Sequence, residues 1–263
     1  MDLGLRDKVA AVAAASQGLG LAVAKTLAAE GARVAICGRH SEPLLTAAEA
    51  IRAETGSAAL PVVADLTAAD DVRNFVEQTA AHYGRLDILV TNAGGPPPGD
   101  FLDLDEAAWR RGVDLTLMSV VNLCYAAVPH MQAAGGGRIV AIASMSVKQP
   151  LRNLMLSNSI RMAVVGLIKS LSIELAPYNI LANAVLPGWT RTDRVEQLLT
   201  AQAAKRGISV DAVEAEIVSG IPLRRMARPE ELAAVVAFLA SERASFVTGT
   251  AIQIDGGAVQ SPF

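Results

Sequence analysis

The sequence predicts a single α/β domain: a doubly wound, open parallel sheet of about seven strands with helices on both faces. Three observations carry this. The strand candidates are near-continuous apolar runs, as a parallel sheet covered on both sides requires. Strand-type and helix-period segments alternate about six times along the chain. No Ser/Gly/Pro-rich linker or long repeat divides the 263 residues, so one domain over 1–263 is expected.

Taken in order, residues 9–13 form the first apolar strand, and the helical segment 18–30 follows directly. Strand 33–37 leads to helix 42–55, and strand 59–63 to helix 68–83, where Asp70 and Asp71 sit near the start and complement the helix dipole. Strand 88–91 runs into the loop 94–99, whose Gly and Pro content breaks regular structure. One long helix, 105–134, is expected next, stopped by Gly135-Gly136-Gly137 before strand 138–143. Helix 156–176, strand 180–186, helix 230–241 and strand 251–254 complete the pattern. The stretch 189–228 is the least regular. It carries a helical patch at 194–205 and reads equally as a substrate lid or a surface excursion.

Composition narrows the function. At 52% hydrophobic and 19% charged residues, the chain has ample material for a core and is not a disordered sequence. Net charge is −3 and the pI about 5.7, without the basic footprint of a nucleic-acid binder. Cys37 and Cys124, the only cysteines, form no C-x-x-C pair and read as core in a reducing compartment. His40, His82 and His130 have no metal-ligand spacing, so no metal is expected. No apolar run approaches the roughly 18 residues of a membrane span. The apolar run 9–15 lacks a basic segment before it, which argues against a secretory signal and for the cytoplasm.

After the first strand comes Ala14-Ala15-Ser16-Gln17-Gly18-Leu19-Gly20, then a helix. Glycines at such a turn let backbone approach a pyrophosphate, and the helix N-terminus favours its charge. The same segment also suits a plain strand–helix turn, because the G-x-G-x-x-G form fails at Val23. At the end of the second strand, Cys37-Gly38-Arg39-His40 offers no acid for a ribose 2′-hydroxyl. Arg39 offers a planar donor fork suited to a 2′-phosphate, which favours NADP(H) over NAD(H).

Further motifs stand at Asp65-Leu66, Asn92-Ala93-Gly94, Pro187-Gly188 with Thr190 and Thr192 behind it, Val247-Thr248-Gly249 and Asp255-Gly256-Gly257. With them, residues 8–257 resemble the short-chain dehydrogenase/reductase family, most nearly its 3-oxoacyl-(acyl carrier protein) reductase-like and glucose-dehydrogenase-like members. The resemblance implies a Rossmann fold and a bound dinucleotide. It places the family's T-G-x-x-x-G-x-G loop on residues 13–20, with alanine at 13 and 14. Asp65 and Leu66 take the adenine position, Asn92, Ala93 and Gly94 the N-A-G motif, and Pro187 and Gly188 the P-G motif, with Thr190 or Thr192 as the phosphate contact. It also implies a small-molecule substrate and a homodimer or homotetramer built on helices 105–134 and 156–176.

The chain departs from the family at the chemistry. The family's carbonyl-polarising Ser is kept as Ser144. Thirteen residues later its acid–base Tyr position holds Ser157, and four further on its Lys position holds Arg161. Its water-holding Asn position falls on Thr116. An alkyl hydroxyl titrates about 5–6 units above tyrosine, a handicap of roughly 7–8 kcal/mol for proton donation, and one neighbouring cation recovers only about 1–3 units. Ser157 is thus a poor general acid alone. Arg161 lies one helical turn on, keeps its charge and can fork onto a ribose or a substrate anion. Lys148, Ser146, a water, or an iminium-type acceptor that needs no proton could close the gap. Two functions follow: an NADP(H)-dependent oxidoreductase acting on a carbonyl or imine carbon through Ser144, Ser157 and Arg161, or a dinucleotide-binding module with little turnover.

Overall fold

The computed structural model describes residues 2–261. Seven strands, β1 (Val9–Val12), β2 (Arg33–Gly38), β3 (Leu60–Val63), β4 (Ile88–Thr91), β5 (Gly137–Ile142), β6 (Ile180–Pro187) and β7 (Ala251–Ile254), form one sheet. Their order is β3-β2-β1-β4-β5-β6-β7 and every pairing is parallel. Each strand lies within one residue of its expected bounds.

The apolar runs are continuous because alternate residues face two separate cores. Ala10, Val12, Val34, Ile36, Ile88 and Val90 point to one layer, packed by α1 (Gly18–Ala29), α2 (Ser41–Thr55) and α9 (Pro229–Ala240). Val9, Ala11, Ala35, Cys37, Leu89 and Ile139 point to the other, covered by α3 (Ala69–Tyr83), α5 (Ser119–Ala133) and α6 (Met155–Glu174). Strand order reverses between β1 and β4, so the loops at their carboxyl ends diverge and open a crevice there.

Two expectations need correction. The stretch 105–134 is not one regular helix. α4 (Glu106–Val113) and α5 are joined by a π-turn at Asp114–Met118, a wider turn that leaves no composition signal. The joined segment Glu106–Ala133 is also long and apolar enough to cross a membrane by length and composition, contrary to the sequence reading. In this fold Leu123, Cys124, Ala127 and Met131 of α5 are buried in the second core instead. Second, 189–228 is regular for much of its length: α7 (Asp193–Arg206) is followed by α8 (Val210–Ser219). The missed α8 has a readable signal, since Gly207 ends α7 in a left-handed conformation and Ser209 caps α8 by accepting from Ala212 N. The two helices share a small core of Leu199, Ala203, Val213 and Met226 and are tied by Arg191–Glu214 and Arg206–Glu216 ion pairs.

The β1–α1 turn holds one strained residue. Ala14 sits at φ +47°, in the left-handed region that costs a side-chain-bearing residue about 1–2 kcal/mol. Ala14→Gly relieves this, offset by about 0.4–1 kcal/mol from a freer unfolded chain. A net gain of about 0.5–1 kcal/mol is expected, read as a higher urea midpoint at unchanged slope. An unchanged or lower midpoint would show that the loop carries no strain at Ala14.

Candidate active site

The carboxyl-end crevice gathers nearly all the residues singled out above. Its first wall is the glycine loop. A Cβ at Gly20 would stand 2.4 Å from Ala14 O, so only glycine allows α1 to start this close to β1. Gly18 is left-handed at φ +60° and faces Thr192, whose Cγ2 would lie 3.7 Å from a Cβ there. Ser16 and Gln17 lie between the strained Ala14 and Gly18, and Leu19 packs back on the first core. Asn92 crosses from β4 and donates from Nδ2 to Ala14 O at 3.2 Å, locking the loop to the N-A-G segment with Ala93 and Gly94.

The far end of the crevice carries charge. Arg39 is exposed just beyond β2, beside half-buried Asp65. Hydrogen bonds from Thr67 N and Oγ1, and then the Arg39 charge, hold the Asp65 carboxyl below its usual range. Leu66 is buried beneath it. Of the two threonines after Pro187-Gly188, Thr190 is buried, with Oγ1 3.4 Å from Gly188 O, while Thr192 caps α7 and faces Gly18. Thr192 is the one placed against the glycine loop.

The candidate catalytic residues lie where β5 stops. Ser144 is extended (φ −167°), and its Oγ accepts from Ser146 N at 3.1 Å, capping the short turn Met145–Val147. Ser146 is buried, and its Oγ lies 3.5 Å from Ser157 Oγ on α6, so a row of three serines forms, Ser144 linked through the Ser146 backbone N–H and Ser157 through the Ser146 hydroxyl. Arg161, one turn further along α6, donates from Nη1 to Ile142 O and Ala143 O, both at 3.0 Å. Burial and then the Arg194 charge pull its pKa down to about 10, which leaves the guanidinium charged at neutral pH.

Thr116 lies in the π-turn, buried at 2% exposure, and its Oγ1 has no partner among the described residues. A buried hydroxyl without a partner is costly unless a water or ligand satisfies it. Lys148 is exposed, and no hydrogen bond joins its side chain to the serines among the described residues. The structure does not bring it into the serine row.

Two residues escaped the sequence reading. Asn158 accepts from Leu151 N at 3.2 Å and donates to Leu151 O at 2.8 Å, stapling the loop between β5 and α6. Arg194 on α7 donates to Pro96 O at 3.1 Å, joining the α7–α8 unit to the loop after β4. The Arg194 bond has no spacing signal, because it joins chain segments that only the fold brings together.

The fold agrees with known proteins. A family model described as Enoyl-(Acyl carrier protein) reductase matches residues 13–259. The cis-4-hydroxycyclohexanecarboxylate dehydrogenase of Sinomonas cyclohexanicum is 38% identical over 95% of this chain and 96% of its own. Dehydrogenase/reductase SDR family member 4 of Oryctolagus cuniculus is 35% identical over 97% of this chain and 94% of its own. The crystal structure of L-sorbose reductase from Gluconobacter frateurii, complexed with NADPH and L-sorbose, superposes with a TM-score of 0.95 at 32% identity, covering 99% of this chain and all of that one. The switch-point crevice, the glycine turn and these full-length matches lead to one conclusion: this chain belongs to the short-chain dehydrogenase/reductase family of oxidoreductases.

Proposed function

We propose that the protein is an NADP(H)-dependent oxidoreductase that moves hydride between the cofactor and a carbonyl, hydroxyl-bearing or imine carbon, using a serine row in place of the family's tyrosine and lysine. The observation that carries this is the Ser144–Ser146–Ser157 row beside Arg161, at the end of β5 facing the dinucleotide crevice.

The residues present fit the cofactor. Gly18 and Gly20 let backbone close on a pyrophosphate, Thr192 stands over them, and exposed Arg39 is free to fork onto a 2′-phosphate. When bound, NADP(H) supplies or accepts the hydride. Ser144 hydrogen-bonds the substrate oxygen and stabilises charge developing on it. Ser146 fixes the Ser144 rotamer through its backbone N–H and hands Ser157 a hydroxyl partner. Arg161 is anchored by two carbonyls and keeps a positive charge at the site. Thr116 offers its unpaired hydroxyl to a water, a route for a proton that Ser157 cannot supply alone. The α7–α8 unit over 189–228 acts as the substrate lid, and exposed Met118, Tyr125 and Met162 mark the helical face through which copies of the chain associate.

Calorimetric titration tests the cofactor reading. NADPH should bind more tightly than NADH, and Arg39→Ala should weaken NADPH about 10–100-fold, the worth of a charge-assisted contact, with little effect on NADH. Equal affinities in the wild type would remove Arg39 from cofactor selection. Tight NADPH binding with no hydride transfer to any acceptor would favour a dinucleotide-binding module instead.

A further inference from the structure

Two guanidinium groups sit beyond the carboxyl ends of the adjacent strands β4 and β5, neither in an ion pair among the described residues. Arg161 spends Nη1 on Ile142 O and Ala143 O, and no hydrogen bond occupies its Nε or Nη2 among the described residues. Arg194 reaches from α7 to Pro96 O and lies over Gly95, where a Cβ would stand 3.5 Å from its Nε. After burial, the Arg194 charge also acts against the Arg161 cation, and no carboxylate among the described residues offsets it. Three other arginines of the 189–228 stretch do pair with glutamates: Arg191 with Glu196 and Glu214, Arg206 with Glu216, Arg225 with Glu231. Asp193, next to Arg194 in sequence, is exposed at the start of α7 and forms no ion pair with it among the described residues.

Two like charges held together in a part-buried cleft cost free energy unless an anion joins them. The cofactor's diphosphate has its own cradle at Gly18, Gly20 and Thr192, whereas Arg194 extends from the same helix start onto a different loop, beside residues 95–96. We propose that Arg194 and Arg161 form a seat for a substrate carboxylate, so that the protein acts on oxo- and hydroxycarboxylates, with the lid delivering Arg194 to the bound acid. Planar guanidinium forks match a carboxylate in geometry as well as charge. The assignment rests on the hydride-transfer reading above.

The experiment uses the full protein with NADPH and three matched pairs: 3-oxobutanoate, 4-oxopentanoate and 5-oxohexanoate, each beside its methyl ester. NADPH oxidation should favour at least one acid over its ester by about tenfold or more in kcat/KM, carried by KM. In Arg194→Gln the acid-to-ester ratio should fall about 10–100-fold, the loss of one charge-assisted contact. Arg194→Lys should recover part of it, since the charge returns without the fork. Equal use of acid and ester by wild type, or an Arg194→Gln change that scales both alike, overturns the seat. So does an Arg194→Gln protein whose main defect is weaker NADPH binding, which would make Arg194 a cofactor contact. If no compound turns over, calorimetric titration of the NADPH-loaded protein with the same pairs decides. Acid binding that Arg194→Gln removes supports the seat although the hydride reading fails for these compounds; absence of acid binding by wild type overturns it.

Discussion

Ser144→Ala should lower kcat by about 10²–10³, the usual loss when one preorganised donor to a developing oxyanion is removed. NADPH affinity should be preserved, because Ser144 lies at the end of β5 and the cofactor cradle is built by the β1–α1 turn and Thr192. The side chain has a second duty that must be separated from the first. Its Oγ caps the Met145–Val147 turn by accepting from Ser146 N, and losing a cap costs about 0.5–2 kcal/mol of stability. A urea midpoint for the same variant measures that loss. Ser144→Thr keeps the hydroxyl and the cap and should retain most of the turnover. Were Ser144→Ala to turn over a genuine substrate at the wild-type rate, Ser144 would have no part in the chemistry, and the row would be structural.

The sheet and its two layers were readable because they follow from periodicity. In a parallel sheet covered on both faces, every strand residue is buried, and the apolar runs at 9–13, 33–37 and 88–91 express that requirement directly. The cofactor wall was readable for a related reason: a glycine such as Gly20 is a local backbone demand that leaves a local sign. What was not readable depends on contacts between distant segments. The π-turn that buries Thr116 has no sign in composition, since its residues suit an ordinary helix equally well. Arg194 reads as a surface arginine in a helical patch until the fold sets it against Pro96, 98 positions away in sequence. Lys148, a candidate proton donor by its spacing from Ser144, lies exposed in the turn after β5.

The double variant Ser157→Tyr/Arg161→Lys should raise carbonyl reduction by about 10²–10⁴, the range that a positioned general acid contributes. Ser157 Oγ already stands 3.5 Å from Ser146 Oγ, so on the proposed reading position 157 belongs to the reacting end and lacks only an acid of suitable strength. A phenol closes about 5–6 units of the gap that one cation cannot. A lysine at 161 can keep a bond to Ile142 O or Ala143 O while removing the bulk of the guanidinium beside the new ring. The gain should carry a pH signature. A tyrosine donates only when protonated, and the lysine charge lowers its pKa, so carbonyl reduction should fall as pH rises through that value. Wild type, with neither group, should show no such limb. An iminium acceptor needs hydride but no proton on oxygen, so the variant should gain nothing on it. A double variant that folds, binds NADPH and is no faster than wild type on every carbonyl offered would mean that proton supply does not limit this site.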